Sequence, residues 1–113
     1  MIQTCRTAEH WKQLVADSQQ KPVFLLKHST RCPISSAAWR AFQAFAEQSP
    51  AAALWKVLVV EDRSLSKQVA EETGVAHRSP QLILMDKGEA VWHTSHWSIT
   101  VEAMEKALAE VEA

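Results

Sequence analysis

The run Val23-Phe24-Leu25-Leu26 leads through Lys27-His28-Ser29-Thr30-Arg31 into Cys32-Pro33-Ile34-Ser35-Ser36, and its three parts obey different physics. Four consecutive apolar residues after Pro22 predict a strand buried on both faces, as in a largely parallel sheet. Residues 28–31 read as a short polar loop. Cys32-Pro33 then predicts a helix start, because a proline in the first turn has no N–H to lose there. The helix should run to about Gln48, with Ile34, Ala38, Ala41, Phe42 and Phe45 as its apolar stripe. Trp39 falls off that stripe, which predicts packing against a neighbour rather than cover over a site.

Working outward, residues 2–5 predict a short edge strand. Thr7 is placed to cap a helix that buries Ala8, Trp11, Leu14 and Val15, and Gln19-Gln20-Lys21-Pro22 ends it. On the other side, Ser49-Pro50 stops the second helix and residues 54–60 predict a strand. Asp62 or Ser64 can cap a third helix with Leu65, Val69 and Ala70 inside and Gly74 as its C-terminal cap. Residues 75–80 form a loop. Residues 81–85 and 90–94 predict two strands of an antiparallel hairpin around Asp86-Lys87-Gly88-Glu89. Thr100 can cap a last helix with Val101, Met104, Leu108 and Val111 inside. The order β-α-β-α-β-α-β-β-α predicts an α/β fold, a central mixed sheet flanked by helices, with residues 1–113 as one domain.

A chain of 113 residues with 47% hydrophobic and 22% charged residues can bury a core without metals or disulfide staples. A net charge of -1 gives no broad basic surface for a phosphate backbone, so nucleic acid is not an expected partner. No segment approaches the ~20 apolar residues of a membrane helix, and Met1-Ile2-Gln3-Thr4-Cys5-Arg6 has no leader pattern. No membrane partner and a cytoplasmic location are the expectation. In a reducing compartment the two cysteines, Cys5 and Cys32, should be free thiols, and any disulfide transient.

Cys32 follows a buried strand and stands at a predicted helix N-terminus, where unpaired N–H groups and the helix dipole favour negative charge. Arg31 adds positive charge, and such settings move a cysteine pKa from ~8.5 into the range of roughly 3.5 to 7.5. A substantially ionised Cys32 at neutral pH is therefore expected. The spacing Cys32-Pro33-Ile34-Ser35 is that of a redox motif, but its last position is a serine, so no internal thiol can close a disulfide there. An intermediate on Cys32 must be resolved by an outside thiol. Ser35 can donate a hydrogen bond to the thiolate, or it can be an ordinary capping residue.

The strand-loop-Cys-Pro-helix unit, Ser79-Pro80 before a strand, and the late hairpin resemble the thioredoxin superfamily over nearly the whole chain. More closely, His28-Ser29-Thr30-Arg31-Cys32-Pro33-Ile34-Ser35-Ser36, His77-Arg78-Ser79-Pro80-Gln81 and Ser95-His96-Trp97 resemble the monothiol bacilliredoxins, the YtxJ-like proteins of the bacillithiol system. The resemblance implies a thioredoxin-like fold and a thiol-disulfide oxidoreductase. In it Cys32 takes bacillithiol from bacillithiolated client proteins, and a second small thiol or a dithiol reductase regenerates it. It makes bacillithiol a co-substrate, with no tightly bound cofactor. It also implies a cis peptide before Pro80, with the Ser79 backbone opposite Cys32. Arg31, Pro33 and Ser35 would stabilise the thiolate, and Thr30, His28, His77, Ser79 and Pro80 would meet the client or small thiol.

Two departures qualify that reading. Leu26 occupies the strand position where typical thioredoxins carry a buried aspartate, which fits a protein with Ser35 in place of a second cysteine. Arg78 stands where this family's loop is expected to be acidic. Further expectations concern Cys5, the histidines and Trp97. Cys5 lies on a strand expected to sit away from the active-site end, so a resolving role is not the expectation for it, and a bridge through it would more readily be an artefact or a dimer contact. His28, Cys32 and His77 can share one end of the sheet, but their spacing matches no zinc pattern, so no metal is expected. His93 and His96 read as surface or packing residues, and Trp97 as closing the core beneath the last helix. The alternatives to an oxidoreductase are an iron–sulfur carrier, built like single-cysteine glutaredoxins on two Cys32 thiolates and small thiols, or a redox-inert binding module using the groove beside Pro80.

Overall fold

A computed structural model describes residues 1–30 and 33–112; Arg31, Cys32 and Ala113 lie outside the described residues. Its elements are β1 (Ile2–Thr4), α1 (Ala8–Asp17), β2 (Val23–His28), α2 (Pro33–Glu47), β3 (Ala53–Leu58), α3 (Arg63–Thr73), β4 (Gln81–Asp86), β5 (Glu89–Ser95), a 3₁₀ turn (His96–Ser98) and α4 (Val101–Glu112). They follow the order the sequence predicts. The five strands form one sheet in the order β1-β3-β2-β4-β5, with β1, β3 and β2 parallel and β4 and β5 antiparallel to their neighbours.

Strand β2 is central, and all six of its residues are buried. Its side chains alternate between two cores. Phe24 and Leu26 join Ala38, Phe42 and Phe45 of α2 and Met104, Ala107 and Leu108 of α4 on one face. Val23 and Leu25 join Trp11 and Leu14 of α1 and Leu65 and Val69 of α3 on the other. Leu26 is thus a plain core residue.

Strand bounds differ from the predicted ones where polarity misleads. Lys27 and His28 extend β2 beyond the apolar run, because both continue the ladder to β3 and are themselves buried. Val59 and Val60 are apolar but lie in the turn after β3. In α2 the buried stripe is Ser35, Ala38, Phe42 and Phe45, so Ser35 replaces Ile34 on the inner face.

The caps are local. Thr7 Oγ1 accepts the His10 N–H at 3.1 Å, and Thr100 Oγ1 accepts that of Ala103 at 3.1 Å. Asp62 occupies the N-cap position of α3 without a side-chain capping bond, and Gly74 closes that helix at φ +74°. The hairpin turns on Lys87 and Gly88, both at positive φ.

Candidate active site

The site is set by where three strands start and stop. β2 and β3 end side by side, His28 against Leu58, and the His28 carbonyl accepts the Val59 N–H at 3.0 Å. β4 begins on the other flank, with Gln81 paired to Lys27. The chain that leaves β2 toward Cys32 therefore emerges between the 59–62 turn and the 75–80 loop. That loop ends in a cis peptide between Ser79 and Pro80, as the resemblance implied. The buried Pro80 offers its carbonyl to the His96 N–H at 3.0 Å, which ties the 3₁₀ turn to the same corner.

Helix α2 starts at Pro33, which is exposed, and Thr30 is exposed in the turn before it. Cys32 and Arg31, the expected nucleophile and its cationic neighbour, lie outside the described residues. Among the described residues, three of the buried polar side-chain atoms without a hydrogen-bond partner are His28 Nδ1 at the end of β2, Ser35 Oγ in the first turn of α2 and Ser79 Oγ before Pro80. Buried polar groups are nearly always paired, so these three keep hydrogen-bonding capacity that no described residue uses. Ser35 accordingly makes no side-chain capping bond among the described residues.

His28 lies on the α2 face of the sheet. Its ring packs on Trp39 at 5.2 Å between centroids, and Lys56 Nζ sits 4.6 Å from the centre of the same indole. Trp39 also touches Phe42, so it packs as expected. Burial pushes the His28 pKa down, helped by the Lys56 ammonium and opposed by Glu61.

The opposite face carries an arrangement that the sequence reading missed. Lys27 is completely buried, and its Nζ lies 3.1 Å from His77 Nδ1, with Ser66 Oγ 3.4 Å from the same nitrogen. No carboxylate pairs with Lys27 among the described residues, and burial lowers its pKa to about 8. Beside it the buried Gln81 donates from Nε2 to the Ala76 carbonyl at 2.9 Å and accepts the Arg78 N–H on Oε1 at 3.4 Å. Lys27 and Gln81 thus clamp the loop that leads into Pro80. The available signal was a lysine placed directly after a buried run and across from β4.

Several expected placements change. His28 and His77 share one end of the sheet but point to opposite faces, so they do not converge; among the described residues no group of three or more His, Cys, Asp or Glu could hold a metal ion. Trp97 does not close the core: it is 68% exposed in the 3₁₀ turn, and Trp92 makes the edge-on contact with Phe24 instead. Its turn begins at His96, which takes φ +56°. Cys5 is not on a strand facing away, because β1 runs parallel to β3 and the Cys5 N–H bonds to the Lys56 carbonyl at 2.7 Å. It lies toward the same end but two strands to the side and wholly buried. Burial and then Asp62 push its thiol up to about 11. Arg78 is exposed and donates to the neighbouring His77 carbonyl at 2.9 Å.

The family model of the monothiol bacilliredoxin BrxC matches residues 3–104. The chain belongs to the monothiol bacilliredoxin family. Among solved structures it is similar to a thioredoxin-fold protein assigned as an oxidoreductase, at 33% identity and a TM-score of 0.84, over 94% of this chain and 92% of that one. Thioredoxins share the fold at lower identity. That of Malassezia sympodialis gives 15% and a TM-score of 0.79 over 100% and 92% of the two chains. A variant thioredoxin from Halobacterium salinarum gives 17% and 0.79 over 96% and 88%. For a bacilliredoxin-family chain on a thioredoxin fold, the role is thiol redox chemistry, and no described helix is long and apolar enough to cross a membrane.

Proposed function

We propose that the protein is a monothiol oxidoreductase that strips bacillithiol from proteins through Cys32. The Cys32 thiolate attacks the mixed disulfide of a bacillithiolated client. A disulfide forms between Cys32 and bacillithiol, the client's S–S bond breaks, and the client leaves as its thiolate. A second small thiol, or a dithiol partner, then attacks the adduct and returns Cys32 to its thiolate.

The observation that carries this reading is the family match over residues 3–104, on a chain whose Cys32-Pro33-Ile34-Ser35 run holds one thiol only. The setting agrees with it. α2 begins directly after Cys32 in the sequence, so its N-terminal N–H groups favour a thiolate there. Ser35 Oγ and Ser79 Oγ are buried with no partner among the described residues, which leaves both able to donate to sulfur. The cis Ser79–Pro80 segment offers backbone to an extended client chain.

The test is intact-mass spectrometry after exposure to oxidised bacillithiol and, separately, oxidised glutathione. Wild type should gain one bacillithiol per chain, in excess of the glutathione adduct, and Cys32→Ser should gain none. An adduct that persists in Cys32→Ser, carried by Cys5, would sink the proposal.

A further inference from the structure

A cavity of about 390 Å³ opens on the α3 side of this corner, walled by Val59, Val60 and Ala70 and edged by Arg63, Lys67 and His77. The Val59 N–H bonds to the His28 carbonyl, so the cavity adjoins the end of β2, four residues before Cys32 in the sequence. Its titratable lining is Arg63, Lys67 and His77, with no carboxylate. Neither Arg63 nor Lys67 has a carboxylate partner among the described residues.

Its polar edge is backed by the buried Lys27. An ammonium at 3.1 Å can only donate, so it requires a lone pair on His77 Nδ1 and leaves the ring proton on Nε2. Ser66 Oγ, close to the same nitrogen, does not change that assignment. The exposed side of the His77 ring is thereby fixed as an N–H donor. A buried lysine with no counter-ion is unfavourable for the fold in isolation, so its position calls for a use.

We propose that this cavity is a carboxylate-recognition subsite for the small thiol, with Arg63, Lys67 and the His77 Nε2–H as its donors and Lys27 as the positioning residue behind His77. The inference rests on the thiol-transfer reading above and adds to it the part of the co-substrate that the protein reads. The apolar wall would take the thiol's carbon skeleton, and the cationic edge its carboxylates. Burial first, then the charges of Lys27 and Arg78, disfavour protonation of His77, and Arg63 and Lys67 share its cavity edge. Cys5, in the same cross-sheet row as Lys27, stays a neutral thiol.

The test uses one client peptide carrying three different mixed disulfides: bacillithiol, glutathione, and uncharged 2-mercaptoethanol. Single-turnover transfer to the protein is followed against peptide concentration. Arg63→Gln/Lys67→Gln should raise the half-saturating concentration about tenfold for a carboxylate-bearing thiol and leave the limiting rate and the 2-mercaptoethanol peptide unchanged. An effect with bacillithiol alone, or with both acidic thiols, supports the subsite and says how selective it is. Lys27→Met should raise the same half-saturating concentration and shift the His77 ring ¹⁵N signals away from the Nε2–H tautomer. Equal behaviour of the three peptides in wild type and the double variant would overturn the subsite. Failure of wild type to accept any of the three would instead overturn the thiol-transfer reading.

Discussion

Lys27 is flanked in its row by Val57 on β3 and Gln81 on β4, under α3 and the 75–80 loop, where water does not reach it. Its pKa of about 8, against the usual 10.5, makes stability depend on pH in a defined direction. Between those values the unfolded chain holds a proton that the folded chain has released, so stability rises with pH across that window. Below about 8 both states are protonated and the whole penalty of burying the ammonium is present. Lys27→Met should therefore be more stable than wild type at pH 7, by on the order of 1–4 kcal/mol, and should lack the rise between pH 8 and 10.5. Urea unfolding at pH 7 and pH 10 checks both statements. At this scale the sequence was read unevenly. Cys32, Ser35 and Ser79-Pro80 stand out because their types and spacing carry the chemistry. Lys27 and Gln81 do not, because a polar residue shows its burial only when a partner distant in sequence supplies it, here His77 and the Ala76 carbonyl.

Helix and strand bounds answer to shorter-range forces. The two glycines show how. Gly74 ends α3 at φ +74°, and a Cβ there would meet nothing within 4 Å; Gly88 turns the hairpin at φ +82°, where a Cβ would come 2.8 Å from Gln19 Nε2. Gly74→Ala should cost about 1 kcal/mol, a purely backbone penalty, read as a lowered urea midpoint with an unchanged slope. Caps and turns of this kind were legible from residue type alone, as Thr7, Thr100, Gly74 and Lys87-Gly88 illustrate. Strand ends were not. Val59 and Val60 look like strand and lie in a turn, while His28 looks like loop and, with Lys27 beyond the apolar run, lies in the ladder, because pairing with a neighbouring strand overrides polarity.

For the molecule as a whole, periodicity was enough to predict the order of elements and the two-sided sheet, since each helix needed a stripe and β2 needed cover on both faces. What periodicity lacks is the side of the sheet on which a given loop residue ends. That is why His28 and His77 proved to face opposite cores, and why Trp97 proved exposed. The burial of Cys5 between β1 and α1 has a kinetic side. A thiol with no exposed surface and a pKa near 11 cannot meet an alkylating reagent until the chain opens. In Cys32→Ser, iodoacetamide should modify the folded protein at least ~10³-fold more slowly than the urea-unfolded chain, as expected for a domain with 5–15 kcal/mol of stability. Adding Gly74→Ala to that variant should quicken the rate, followed by mass, about fivefold, the factor by which a loss of about 1 kcal/mol raises the opening equilibrium. Cys5 is thus a clock inside the fold, ticking each time the native structure comes apart.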